Sequence, residues 1–210
     1  HFDIRIEDLK EIEKEGFIFA HGYEPYLEKI KKSVKNSEFK IILFEIEGNS
    51  LLPENQKIIY RRITDELIKI YPKYKDYFER NLKNALKEIE KIEVKIKKDS
   101  KFLKGKKAIC NKYIKDLVEY FGIEVIETYG RKEELTPFRI REIIEKCKIN
   151  KPDIVIDNLQ AGKDTGKIFA EEFKVPHAVI SNFPLVFENT QTLKETLHKN
   201  FLIIFESLKK

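Results

Sequence analysis

The sequence predicts an α/β protein of two α/β lobes joined by one long linker helix, with a parallel sheet in the C-terminal lobe. Three observations carry this. From Tyr71 to Lys98 apolar residues recur at Tyr74, Phe78, Leu82, Ala85, Ile89, Ile92 and Ile96, the stripe of an amphipathic helix with charged residues on its other faces. After residue 100 strand-like and helix-like segments alternate in strict order. The strands themselves are nearly continuous apolar runs, such as Asp153–Ile156 and His177–Ile180, which fits a parallel sheet covered on both faces. The resulting boundaries are 1–70 for an N-terminal lobe whose start is incomplete in this chain, 71–100 for the linker helix and 101–210 for the C-terminal lobe.

Taken in order, Glu7–Glu15 reads as a helix stopped by Gly16, and Phe17–Ala20 as a short strand. A turn at His21-Gly22-Tyr23 leads to a helix over Glu24–Val34 with Pro25 in its first turn, and Phe39–Glu45 is a second strand. Gly48-Asn49-Ser50 turns, and Pro53 opens a helix through Ile70. No proline or glycine follows Pro72 until Gly105, so about 25 residues run as one rod of roughly 35 Å at ~1.5 Å per residue. Strand Lys106–Cys110 leads to helix Lys112–Phe121, and strand Ile123–Glu127 to helix Pro137–Cys147, with Thr136 as N-cap. Strand Asp153–Ile156 leads to helix Asp164–Phe173, and strand His177–Ile180 to a last helix from Thr192 to Leu208. Thr192 and Glu195 form a capping box there.

Composition narrows the function. The 41 basic and 36 acidic residues are spread along the chain, and no basic run interleaves with aromatics, which argues against a nucleic-acid partner. No apolar run is long enough to span a bilayer. The chain has no Met, even at residue 1, and is expected to be a fragment or a mature product. Its richness in Lys, Glu and Ile resembles thermophile usage. Cys110 and Cys147 lack metal-site spacing and read as buried thiols.

In an open parallel sheet the ligand site lies outside the carboxyl ends of the strands. Those ends are Cys110-Asn111, Glu127-Thr128, Asp157-Asn158 and Ser181-Asn182. One Asn at a strand end is ordinary turn chemistry. Asn111, Asn158 and Asn182 together, with Asp157 directly after a buried strand, read as a polar crown for a ligand. His1 is the one other residue suited to a metal, whereas His21, His177 and His198 read as structural or solvated. Ala161–Ile168 (AGKDTGKI) echoes a phosphate loop without its first glycine and without the Ser or Thr that holds magnesium.

Several segments then match one family in shared order. His1–Leu9 (HFDIRIEDL), Phe19–Leu27 (FAHGYEPYL), Leu52–Asn55 (LPEN), Tyr77–Leu86 (YFERNLKNAL) and Tyr113–Val125 resemble successive motifs of the TroA-like solute-binding proteins of ABC transporters, of the zinc and manganese type. The resemblance implies a monomeric extracytoplasmic receptor, at the cell surface or in the periplasm. It would bind a divalent metal ion or another small ligand in a cleft between two lobes and deliver it to an ABC permease. Any membrane association would come through a lipoprotein-type anchor absent from this chain.

The family's metal set is three His and one acid. Here His1 matches the first His, Asn49 stands near the second, Asn111 replaces the third, Asp157 matches an acid, and Asn182 or Phe183 stands at the late Asp. The implied metal ligands are therefore His1 and Asp157, with Asn49, Asn111, Asp157, Asn158, Ser181 and Asn182 as ligand-binding residues. A set so poor in nitrogen and sulfur donors predicts weak zinc binding. Two other functions compete: a partner-binding protein with a vestigial cleft, and an enzyme using Asp157, Asn158 and Asn182. For the enzyme, no nucleophile–base pair is visible.

Overall fold

The computed structural model describes residues 4–209, which fall into two compact units. The first comprises the chain up to Glu47 together with Ile58–Asn84; the second comprises Gly48–Lys57 and Ala85 onward. The segment after Gly48 thus belongs with the C-terminal part of the chain, and the linker helix is shared between the two units.

In the first unit, α1 (Ile6–Lys14) leads to β1 (Phe17–Ala20), then α2 (Leu27–Ser33) and β2 (Lys40–Leu43). The two strands pair in parallel from Phe17↔Lys40 to Ala20↔Leu43. Ile4, Ala20, Leu27 and Ile30 form its core, flanked by Ile12 of α1, Ile18 and Ile41. α2 is shorter than the predicted Glu24–Val34. The Glu24 carboxylate instead accepts from the backbone N–H of His21 (2.9 Å) and Gly22 (2.8 Å), closing a turn where the helix would have begun.

Two helices belong to both units. α3 (Pro53–Ile70) has the predicted bounds, and α4 (Lys75–Asp99) carries the predicted stripe. The stripe is buried only in its second half, at Ile89 and Ile96, while Tyr74 near its start is exposed, as is Tyr77 beside it. Helical periodicity there is real, yet it does not by itself report burial.

The second unit is a parallel sheet covered on both faces, as its apolar strands predict. Its strands are β3 (Lys107–Asn111), β4 (Glu124–Tyr129), β5 (Ile154–Asn158) and β6 (His177–Ile180), in spatial order β4-β3-β5-β6. α5 (Lys115–Tyr120), α6 (Pro137–Cys147), α7 (Lys167–Phe173) and α8 (Leu193–Ser207) complete it. Cys110, Ile156 and Ile180 pack with Leu117, Phe201 and Ile204 on one face. Ile109, Val155 and Tyr129 pack with Ile143 and Phe169 on the other. The central strand β5 is buried along its whole length, which accounts for its unbroken apolar sequence.

In the second unit, too, elements differ from the sequence reading. β4 runs on to Tyr129, because a register shift opposite Ala108/Ile109 brings Tyr129 level with Asn111. The segment after β3 starts as a 3-10 turn over Lys112–Ile114, capped by the Asn111 side chain. α7 begins at Lys167 rather than Asp164, since the backbone N–H of Gly166 is held by Asp157. Among the described residues no helix is long and apolar enough to cross a membrane.

Candidate functional site

All the strand-end residues singled out above lie in the second unit; Asp157 heads one cluster, Asn158, Ser181 and Asn182 belong to another, and Asn111 and Glu127-Thr128 stand apart from both, the Glu127 carboxylate meeting Arg139 at 3.1 Å. His1 lies outside the described residues.

The first cluster surrounds Asp157, which is 0% exposed. Tyr129 donates its hydroxyl to Oδ1 (2.7 Å), and the Gly166 N–H donates to Oδ1 (3.1 Å) and Oδ2 (3.0 Å). His177 Nε2 lies 2.7 Å from Oδ2. Both carboxylate oxygens are thereby engaged by the protein itself. Burial, reinforced by the neighbouring Asp157 charge, drives the Tyr129 hydroxyl pKa well above its ordinary value, so it stays a donor. A Cβ on Gly166 would run into the Tyr129 hydroxyl, so the loop reaches Asp157 only because residue 166 is glycine. The same carboxylate fills the place where a phosphate-loop anion would meet the start of α7.

The second cluster is built of amides. Asn49, in the turn before α3, donates through Nδ2 to Asn182 Oδ1 at 2.7 Å and accepts from Leu51 N–H at 2.9 Å. Asn182 Nδ2 donates in turn to the Tyr113 carbonyl (3.2 Å), and its backbone N–H donates to Gln160 Oε1 (3.0 Å). Gln160 Nε2 donates to Ser181 Oγ (2.8 Å). Ser181 is held between its neighbours by Asn200 of α8, which accepts from Ser181 N–H (3.0 Å) and donates to the Ser181 carbonyl (2.7 Å). Asn158 accepts from the N–H of Gln160 (2.8 Å) and Ala161 (3.1 Å) and so shapes the loop that presents Gln160. Its Nδ2 is buried without a partner among the described residues.

Asn49 owes its position to two neighbours. Asp116 Oδ2 accepts its backbone N–H at 2.6 Å, and Gly48 carries φ +77° with no room for a side chain beside that same carboxylate oxygen. Asn111 is fully buried and serves the fold: its Oδ1 caps Tyr113 N–H (3.1 Å) and its Nδ2 donates to the Gly130 carbonyl (3.0 Å). The sequence reading brought out Asn49, Ser181 and Asn182 but passed over Gln160, Asn200, Asp116 and Tyr113. Gln160 stands two residues beyond a strand end and was within reach of the same reasoning. Asn200 lies mid-helix, where nothing in the sequence marks it.

The cysteines, His21 and His198 stand apart from both clusters. Cys110 and Cys147 are free and buried, and burial raises both thiol pKa values, that of Cys147 to about 11. His21 Nδ1 meets the Glu24 carboxylate at 3.2 Å. His198 Nε2 is buried without a partner among the described residues, and burial, helped by the Lys95 charge, lowers its pKa. Among the described residues no group of three His, Cys, Asp or Glu is placed to hold a metal ion.

This fold, with its polar strand ends, is that of the solute-binding proteins. The structure of FpvC from P. aeruginosa in complex with Ni2+ superimposes with TM-score 0.80 at 15% identity, covering 99% of this chain and 83% of that one. The laminin-binding protein Lbp of Streptococcus pyogenes gives TM-score 0.81 at 17% identity, covering 99% and 87%. A crystal structure of ZnuA gives 0.80 at 18%, covering 99% and 85%. Residues 50–204 match the family described as "ZnuA: Zinc-uptake complex component A periplasmic", and the chain belongs to that family. No curated protein matches its sequence.

Proposed function

We propose that this protein is the extracytoplasmic solute-binding component of an ABC importer, taking a divalent metal ion or another small polar ligand and passing it to a membrane permease. Family membership over residues 50–204 supports the transport role. The observation that carries the site is the joining of Asn49 to Asn182 at 2.7 Å, with Gln160 on the same Asn182 backbone, at the carboxyl end of β6. Ligand would meet Asn182 and Gln160 directly, with the buried Asn49 and Ser181 holding them in place. Asn111, Asn158 and Asp157 would stand behind them, with His1 a further metal donor.

The chemistry of this set differs from that of an imidazole site. Amide oxygens are neutral, hard donors and amide nitrogens are hydrogen-bond donors, so the set favours a hydrated or oxygen-bearing ligand over a bare transition-metal ion. Asp157, the one acid in the predicted set, is occupied by Tyr129, Gly166 and His177 and brings no charge to such a ligand without breaking those bonds.

One observation favours the second reading, a partner-binding protein with a vestigial site: the side-chain amides of Asn49 and Asn182 already satisfy one another. Native mass spectrometry with elemental analysis of protein purified without denaturation separates the two. A stoichiometric small ligand or metal, lost in Asn182→Ala, supports the receptor. Protein that is mass-identical to the bare chain, and stays so after incubation with cell extract, supports the vestigial site.

A further inference from the structure

Positive charge gathers at one turn of the second unit. Residues 95–107, from the end of α4 to the first residue of β3, hold seven lysines and one acid, Asp99. That net +6 exceeds the +5 of the whole chain, so the rest of the molecule is close to neutral. The even spread of charge read from the sequence fails here, and Phe102 places an aromatic ring inside the basic run.

The fold accounts for part of this charge. Lys106 meets Asp153 at 2.9 Å, and Lys107 donates to the Asn150 side chain. Lys97 and Lys98, in the last turn of α4, oppose the negative end of the helix dipole. Lys101 and Lys104 lie beyond the helix and have no such role. Lys95, Lys97, Lys98, Lys101 and Lys104 are all exposed, and among the described residues none has a carboxylate within ion-pair distance. Elsewhere surface lysines sit beside glutamates three residues away, as Lys14 with Glu11, Lys69 with Glu66 and Lys148 with Glu145. Uncompensated lysines repel one another and cost the fold stability, so the charge has to be matched from outside.

Apolar surface is set among these lysines. Val94, on the same helix face as Lys98, is 69% exposed, and Phe102 is 45% exposed. Phe102 stands edge-on to Phe205 of α8 at 5.3 Å between ring centres, and Lys209 Nζ lies 4.1 Å from the Phe205 ring centre. The end of α8 contributes Lys209 and the exposed Glu206, which leave the balance of charge unchanged.

We infer that residues 94–104, with Phe102 at the tip and Lys209 beside it, form a docking surface for an anionic lipid bilayer. Lysines set around an exposed ring suit a headgroup layer: the ring enters the interface and the ammonium groups meet lipid phosphates. Nucleic acid fits less well, because residues 95–107 hold no arginine to grip phosphate bidentately. The surface lies at the amino end of the sheet, since Lys107 opens β3, whereas the amide cluster lies at the carboxyl end. It is therefore separate from the candidate ligand site and does not depend on the proposed transport function. Such a contact holds the chain to a membrane face independently of any anchor.

Co-sedimentation of the purified chain with vesicles tests this, using phosphatidylcholine alone and an equal mixture of phosphatidylcholine and phosphatidylglycerol. We expect binding to the mixed vesicles only, weakened at least about tenfold in molar salt. Replacing Lys97, Lys98, Lys101 and Lys104 together with Gln should weaken partitioning roughly several-hundredfold, each lysine near an anionic surface contributing about fivefold. Replacing Lys10, Lys32, Lys132 and Lys163, exposed lysines outside the patch, removes the same charge and should change partitioning by less than about fivefold. Phe102→Ser should weaken it roughly tenfold, and Phe102→Trp should bind at least as tightly as the unsubstituted chain.

Failure to sediment with the mixed vesicles, or equal losses in the two four-lysine variants, would overturn the surface. Displacement from the mixed vesicles by an equal concentration of a DNA duplex would make the patch a nucleic-acid site instead. Phe102→Ser that is folded and binds unchanged, with Phe102→Trp no tighter than Ser, would also overturn the lipid assignment.

Discussion

Asp157 and Asn158 are adjacent at the end of β5, and the protein uses them in opposite ways. Asp157 faces the side of the sheet covered by Tyr129 and Phe169, where every carboxylate oxygen is claimed by a donor of the fold. Asn158 accepts from the loop that carries Gln160, and through it adjoins a cluster whose members Asn182 and Gln160 reach solvent. One strand end thus serves two purposes, a buried hydrogen-bonded anchor and a polar surface built of neutral amides. Polar residue type at a strand end marks a place where ligands gather, but what each oxygen already holds decides what it has left to offer.

Removing the anchor should have the larger effect. Asp157→Ala would leave the Tyr129 hydroxyl, the Gly166 N–H and His177 without their acceptor, and should cost about 3–5 kcal/mol of stability in urea denaturation. If the loss is near zero, the carboxylate is not the anchor described and is free for a ligand. Asn111→Ala, which strips the cap from Tyr113 N–H and the donor from the Gly130 carbonyl, should cost about 1–3 kcal/mol by the same measurement. On the amide side, Asn182→Ala should cost only about 0.5–1.5 kcal/mol, because its partners can turn to water. A loss as large as that of Asp157→Ala would erase the contrast between the two clusters.

A smaller effect concerns His198, away from both clusters. Burial depresses its folded pKa below the ordinary 6.5, so the unfolded chain binds more protons in the range between the two values. Stability from this group is fully present above pH 6.5 and is lost as pH falls through the folded pKa. Melting temperature should therefore drop from neutral to mildly acid pH, and His198→Gln should flatten that slope. An unchanged slope in the variant would assign the dependence to another group.

Much of the fold was legible in the sequence, for a physical reason. The second unit buries its strands on both faces, which forces apolar runs that length and flanking turns then identify. α3 opens at Pro53 as read, and Thr192 and Glu195 form the capping box the sequence announced. The ends of elements were less legible where side chains from elsewhere compete for backbone groups, as Asp157 does for Gly166 and Glu24 does for His21 and Gly22. Tyr74, at the start of the stripe, lies exposed in a 3-10 turn before α4, and Phe78 is only half-buried, so the stripe could not be converted into a packing surface along its whole length. At the site, Ser181 and Asn182 stood out because strand ends are read directly from strand order, and Asn49 because it stands near a ligand position of the family the sequence resembles. Asn200 and Asp116 did not, because they are brought in by helices that pack on the sheet from distant parts of the chain.

The central proposal is that neutral amides make up the exposed part of this site and that it holds zinc weakly. Zinc titration of the protein in competition with a chromophoric chelator of nanomolar affinity tests it directly. The account predicts that zinc remains with the chelator, and that Asn182→Ala and Asp157→Ala leave the curve unchanged. Stoichiometric withdrawal of zinc by the protein, abolished in folded Asp157→Ala, would contradict it and make that carboxylate a metal ligand.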